Sequence, residues 1–290
     1  MVKVRQPYNA GSWYAGSREA LLKQLEEECF LHPLGPGKTA RQAEREAGRE
    51  VLGLLSPHAG YMYSGPVAAH GYYALASNGR PEVVVVLGPN HYGRGSAISI
   101  MVEGVWRTPL GDVPINEEIA KAVQKASSYI DVDDSAHTYE HSIELQLPFL
   151  QYVLGEAFTF IPICVMLQDL EVARDVGEAV AEGLKNVRGL VVASTDLTHY
   201  EPQTSAERKD LEVLRAVEAL DEALLFQTVE RLNVSMCGVG PTASMLVAVK
   251  RLGASKAEIL KYATSGDITG DKSAVVGYAS AAAYKSTGEA

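Results

Sequence analysis

Along the chain, short runs of β-branched and other apolar residues alternate with helix-length amphipathic segments, the pattern of a layered α/β fold. The runs predict strands over 51–56, 82–88, 97–102, 158–166, 189–194, 259–264 and 274–282. The amphipathic segments predict helices over 18–30, 65–77, 116–126, 140–154, 170–186, 206–219, 222–232 and 241–252. Between the first predicted helix and the first predicted strand lies PLGPGKTARQAEREAGRE, 33–50. It reads as a surface loop with a short solvated helix inside a domain, not as a linker between two. No internal repeat or low-complexity tract interrupts the alternation, so one domain over 1–290 is expected.

Composition changes this picture little. With 290 residues, 47% hydrophobic and 21% charged, the chain matches an ordinary globular protein and excludes a disordered or fibrous one. Charge narrows the partners. The chain has 36 acidic and 26 basic side chains, a net charge of −10 whose field repels nucleic acid and anionic membrane surfaces. The apolar runs fall short of the about 20 residues that span a bilayer. The start, MVKVRQPYNAGSWYAGS, lacks the apolar centre of a secretory signal, so a cytoplasmic protein is expected. Cys29, Cys164 and Cys237 are too few and too unpatterned for a disulfide framework, in keeping with a reducing compartment.

Candidate chemistry gathers at the strand exits. His58 lies two residues beyond the run VLGLLS, His91 three beyond VVVVLG and His199 five beyond GLVVAS. The carboxyl edge of an open α/β sheet is where strand-to-helix loops converge and ligands bind. Three imidazoles there suggest a shared metal or catalytic site. Glycine-rich surroundings, PHAGYMYSG and GPNHYGRG, let backbone approach such a site closely. Cys237 precedes a helix start marked by Gly240 and Pro241. The helix N-terminus is expected to favour a thiolate there, a soft metal ligand and a nucleophile. Cys29 and Cys164 read instead as small buried hydrophobes. Asp196, three residues before His199, either orients an imidazole or caps a turn.

A rival pattern sits in HTYEHSIELQLPFL. His137, Glu140 and His141 spell H-x-x-E-H, the order of inverted zinc peptidases, in which histidines on one helix face bind zinc and the Glu acts as base. Asp133, Asp134 and Ser135 look like cap residues that would start the helix too late for His137. In another reading, Glu140, His141 and Glu144 line one helix face beside the first site, with a solvated or capped face as the plain alternative for Glu144.

Taken together, PHAGYMYSGPVAAHGYYAL, LGPNHYGRG, EHSIELQLPFLQ, STDLTHY and MCGVGPTASML resemble the Memo family in order and spacing. VRQPYNAGSWY extends the likeness to nearly the whole chain. The resemblance implies a three-layer α/β/α sandwich with a mixed, largely parallel central sheet, related to the class III extradiol dioxygenases. Those enzymes hold non-haem Fe(II) on two histidines and a carboxylate. By the same resemblance His58 and His91 match the metal histidines and Cys237 stands at the third ligand position. His199 matches the remaining site histidine, and His141 a residue of the pocket wall. His137 is outside the family pattern. A thiolate in place of a carboxylate donates more electron density and is itself oxidisable, which departs from ring-cleaving enzymes. One Fe(II) or copper ion per chain is therefore the expected cofactor, ahead of zinc. The family also implies a functional link to a radical S-adenosylmethionine protein in prokaryotes, and recognition of phosphotyrosine-containing receptor tails in eukaryotes.

The leading expectation is a metal-dependent redox protein, dioxygenase-like and of unknown substrate. His58, His91 and Cys237 hold the metal, and His199, Asp196 and His141 serve as catalytic residues. The alternative is a non-catalytic module gripping a small-molecule or peptide ligand in the same cleft, walled by Tyr61, Tyr63, Tyr92 and Tyr200. A zinc peptidase built on His137 and His141 ranks third.

Overall fold

Val83 to Leu87 are buried without interruption, as a strand covered on both faces requires. In the computed structural model, which describes residues 2–288, they lie near the centre of a nine-stranded sheet. In chain order the strands are β1 (Val4–Arg5), β2 (Arg49–Ser56), β3 (Val83–Pro89), β4 (Ile98–Ile100), β5 (Val105–Thr108), β6 (Gly111–Pro114), β7 (Ile130–Val132), β8 (Thr159–Val165), β9 (Gly189–Ser194), β10 (His199–Glu201), β11 (Lys256–Thr264) and β12 (Val275–Ser286). The helices are α1 (Arg18–Lys23), α2 (Tyr61–Asn78), α3 (Glu117–Ala126), α4 (His141–Glu144), α5 (Leu147–Leu154), α6 (Leu170–Leu184), α7 (Gln203–Glu218), α8 (Glu222–Leu232), α9 (Val239–Arg251) and α10 (Ser265–Thr269).

The large sheet runs β10-β12-β2-β9-β3-β8-β4-β7, with β11 also paired to β12. Its centre, β2-β9-β3-β8, is parallel throughout. Antiparallel pairings flank it, β12 on β2 and β4 on β8. A separate small sheet, β1-β5-β6, forms near the N-terminus.

Consecutive residues of β2 show the layering, because side chains alternate across a strand. A Cβ at Gly53 would meet Val249 and Met245 of α9, whereas Leu54 lies against Gly71 of α2. The sheet therefore carries helices on both faces, an α/β/α sandwich. The layer beyond α9 is drawn in by small residues: a Cβ on Gly177 of α6 would come within 2.6 Å of the Ser244 carbonyl.

Differences from the sequence reading have local causes. The helix expected over 140–154 is two helices, since Glu140 is extended (φ −64°, ψ 126°) and Pro148 falls in the first turn of α5, where proline is tolerated. The helix expected over 18–30 continues from α1 as a π-helical stretch, Gln24–Phe30, which hydrophobic periodicity does not distinguish from α. The loop over 33–50 contains one 3-10 turn, Ala40–Gln42. The expected strands over 259–264 and 274–282 are the longer β11 and β12, paired along most of their length. β1, β5, β6, β7, β10 and α10 were too short for a periodic signal.

Candidate metal centre

Three adjacent parallel strands place the site. His58 follows β2 by two residues, Asp196 follows β9 by two and His91 follows β3 by two, and β9 lies between β2 and β3. Their carboxyl ends stand side by side, so residues far apart in sequence share one small volume. Cys237 enters from the other direction, two residues before α9. Its approach depends on Gly238, where a Cβ would lie 2.7 Å from both the Ser194 carbonyl and Thr195 Cβ.

His58, His91 and Cys237 each offer one ligand atom, and these atoms all lie within 4.8 Å of one another. His58 is buried, and its Nε2 is 3.3 Å from Cys237 Sγ. Its Nδ1 lies 2.8 Å from Ser194 Oγ, and its backbone N–H donates to Asp196 Oδ1 at 2.8 Å. Burial, with the neighbouring His91, holds the His58 ring well below its usual pKa and therefore neutral.

His91 is gripped twice by Glu140. Its backbone N–H donates to Oε2 at 2.7 Å and its Nδ1 meets Oε1 at 2.8 Å. Burial opposes the Glu140 charge, but the His91 contacts and the nearby His141 outweigh it and bring the carboxyl down to about 2. A buried carboxylate behind an imidazole is the arrangement that orients histidine ligands in metal sites. Glu140 can serve as that carboxylate because it caps α4, accepting from the Ser142 N–H at 2.9 Å.

The expected thiolate at Cys237 is corrected by its surroundings. Burial, with the charge of Asp196, pushes the thiol well above its usual pKa, despite an N–H donated by Asp196 to Sγ at 3.2 Å. The sulfur keeps its proton unless a cation displaces it.

Asp196 is buried, and burial raises its pKa. It fastens the His58 backbone and makes no hydrogen bond to His199. Ser235 orients His199 instead: its hydroxyl accepts the His199 N–H at 2.7 Å and its carbonyl meets Nδ1 at 2.8 Å. His199 is close enough for its charge to be felt at His58 and Asp196, but it is not among the clustered ligand atoms. His141 opens α4, stacked on His91 with centroids 4.3 Å apart, and burial brings its pKa down to about 3. His91, Glu140 and His141 form a second grouping of potential ligand atoms.

His137 lies apart. It ends a 3-10 turn, is fully buried and packs edge-on against Trp106, so H-x-x-E-H does not form one helix face. Glu144 is not a solvated cap either. It is fully buried and accepts from Arg5, from the Asn9 backbone at 2.9 Å and side chain at 2.8 Å, and from Tyr14 at 2.7 Å. Of the four tyrosines expected to wall the cleft, Tyr61 is core, donating to the Leu145 carbonyl, and Tyr63 packs beside a small cluster of Val67, Ala263 and Tyr278. Tyr92 and Tyr200 are exposed. Sequence reading missed Ser194, Gln146 and the orienting role of Glu140. A serine closing an otherwise apolar buried strand, GLVVAS, was the available signal for the first.

The fold and site define a class: an α/β/α sandwich with two imidazoles and a thiol at the carboxyl edge of its central parallel strands, suited to one metal ion. Residues 5–282 match the model of the Memo-like protein family, and the chain belongs to that family. It is 54% identical to a MEMO1 family protein of Methanopyrus kandleri, over 95% of this chain and 97% of the relative. It is 48% identical to one of Methanocaldococcus jannaschii, over 97% and 99% respectively. The fold is also similar to the crystal structure of an uncharacterized protein from Escherichia coli K12 (TM-score 0.57, 14% identity, covering 80% of this chain and 99% of that one). Among the described residues no helix is long and apolar enough to cross a membrane.

Proposed function

We propose that the protein is a metal-dependent redox protein, dioxygenase-like, that holds one Fe(II) or copper ion on His58, His91 and Cys237. The observation that carries this reading is the convergence of two imidazole nitrogens and one sulfur within 4.8 Å of one another. The donor set fits the ion: two nitrogens and a thiol suit iron or copper, and three protein ligands leave positions for a substrate. When bound, the ion supplies electron transfer and oxygen chemistry that no side chain here provides. The chain's own residues do the rest. Cys237 gives up its proton as it becomes a ligand. Asp196 steadies the His58 loop, and His199, fixed by Ser235, is the acid or base at the bound substrate. His141, backed by Trp13 with ring centroids 4.2 Å apart, adds an aromatic wall beside them.

The same reading takes the chain as one domain in a reducing cytoplasm. One large buried cluster reaching from Tyr14 to Tyr284, and three free cysteines, support it.

Anaerobic titration of metal-free protein with Fe(II), and separately with Cu(I), tests the proposal. One tight equivalent in the parent that is lost in Cys237→Ala is expected. Equal binding by parent and variant would sink the assignment.

A second reading, a module that grips a small molecule or peptide without turnover, is favoured by a different observation. The Arg94 guanidinium lies 4.8 Å over the Tyr139 ring, and Tyr92 stands 6.3 Å from His141, so a cation and aromatic faces stand near the same histidines. Oxygen consumption by reduced, metal-loaded protein on adding a small substrate would exclude it.

A further inference from the structure

Ser194 Oγ has one proton and two lone pairs, and the structure accounts for all three. It lies 2.6 Å from the Ser142 carbonyl, which only accepts, so the hydroxyl proton goes there. Gln146 Nε2 donates to Ser194 Oγ at 2.8 Å. The orientation of that amide is fixed, because Nε2 also faces the Pro57 carbonyl at 3.0 Å and Oε1 accepts from the Tyr72 hydroxyl at 2.7 Å. The remaining partner is His58 Nδ1, 2.8 Å away, and with the serine proton committed elsewhere the ring must donate. His58 is then protonated on Nδ1 and bare on Nε2, the atom that faces Cys237.

The same logic holds on the other side. Glu140 Oε1 accepts from His91 Nδ1 and from the Ser142 N–H, and Oε2 from the His91 N–H. A carboxylate only accepts, so His91 also carries its proton on Nδ1. Ser142 joins the halves: its N–H goes to Glu140, its carbonyl takes the Ser194 proton and its hydroxyl donates to the Pro89 carbonyl at 3.0 Å.

We propose that Ser194, held by Gln146, and Glu140 are positioning residues that lock His58 and His91 as Nδ1–H tautomers, so that two bare Nε2 atoms face one cation beside Cys237. This rests on the metal-binding reading only for its consequence for affinity. The tautomers themselves are a property of the protein alone.

The test is long-range 1H–15N correlation on 15N-histidine-labelled, metal-free protein at neutral pH, with the seven histidines assigned by single substitutions. In the parent, His58 and His91 are expected to show protonated Nδ1 and unprotonated Nε2. In Ser194→Ala the His58 proton is expected to move to Nε2, since Nδ1 has lost its acceptor. In Glu140→Ala the His91 Nδ1–H loses its acceptor. The His91 proton is expected to move to Nε2. Fe(II) affinity, measured anaerobically, should fall about 10- to 100-fold in each variant. A proton on Nε2 of either ring in the parent overturns the proposal, as does a variant that keeps the parental tautomer. Should one variant fail to fold, the parent spectrum and the other variant decide. Failure of the parent to bind Fe(II), with the tautomers as stated, rejects the metal reading and upholds the tautomer lock.

Discussion

Trp13 packs at a tilt against His141, with ring centroids 4.2 Å apart and an interplanar angle of 31°. The contact closes a circuit between distant parts of the chain. Glu144, on the same single-turn helix as His141, accepts from Asn9 and Tyr14, residues on either side of Trp13. The indole is therefore held against the histidine by buried hydrogen bonds that lie outside the candidate metal centre. Arg5 completes the circuit, donating to the carbonyls of His137 at 3.0 Å and Glu140 at 2.9 Å as well as to Glu144.

Removing Glu144 should therefore be costly. In Glu144→Ala the Arg5 guanidinium, with a side chain only 5% exposed, keeps its charge without the carboxylate, and Asn9 and Tyr14 lose their acceptor. A loss of about 3–5 kcal/mol in unfolding free energy is expected, the usual cost of breaking a buried pair from one side. Urea denaturation checks it, and a loss below about 1 kcal/mol would show that this network does not hold the N-terminal segment.

Metal binding should appear as stability. A ligand that binds only the folded chain adds about 2.7 kcal/mol at a free concentration of one hundred times its Kd. Fe(II) added anaerobically is expected to raise the Tm of the parent in a concentration-dependent way, and to leave His91→Ala unchanged. An equal rise in both proteins would place the ion somewhere other than His58, His91 and Cys237.

How much of this was legible from the residues follows from the range of each interaction. The layered fold and the positions of His58 and His91 depend on strand periodicity, a local pattern that ends in a turn, and the chain carries it openly. Glu140 and Ser194 act across 49 and 136 residues on His91 and His58, so their roles exist only after the strands are ordered side by side. Cys237 was found by its flanking glycines and helix start, but its protonation was misjudged. The partial charge of a helix terminus was weighed, and the larger desolvation cost of the folded surroundings has no local signature. The peptidase motif failed for a related reason: a single extended residue, Glu140, breaks the helix that the spacing assumes.

Gly238 offers a steric test of how Cys237 is delivered. In Gly238→Ala the new Cβ would sit 2.7 Å from the Ser194 carbonyl and Thr195 Cβ and 2.8 Å from Thr195 Oγ1, so the 237–238 segment must move away from β9. A destabilisation of about 1–3 kcal/mol is expected from overpacking. Fe(II) affinity should fall as well, although no ligand atom has been removed. Unchanged affinity would mean that Cys237 is free to reposition itself and is not delivered by this close approach.

His137 carries a pH dependence of the opposite kind to a salt bridge. Burial, reinforced by the nearby Arg5 charge, brings its pKa down from 6.5 to about 3, so the folded protein keeps the ring neutral while the unfolded chain protonates it below about 6.5. The unfolded state then binds the extra proton, and stability must fall as pH falls below the unfolded value. Above that value the group makes no demand. The loss approaches about 1.4 kcal/mol per pH unit between roughly pH 6 and pH 4, to which the buried His58 and His141 add in the same direction. Replacing His137 by Leu removes its share, so urea unfolding from pH 7 to pH 4 is expected to give a shallower decline in the variant than in the parent. Parallel declines would mean that the ring opens to water and protonates in the folded state, and its burial against Trp106 would then be a property of neutral pH alone.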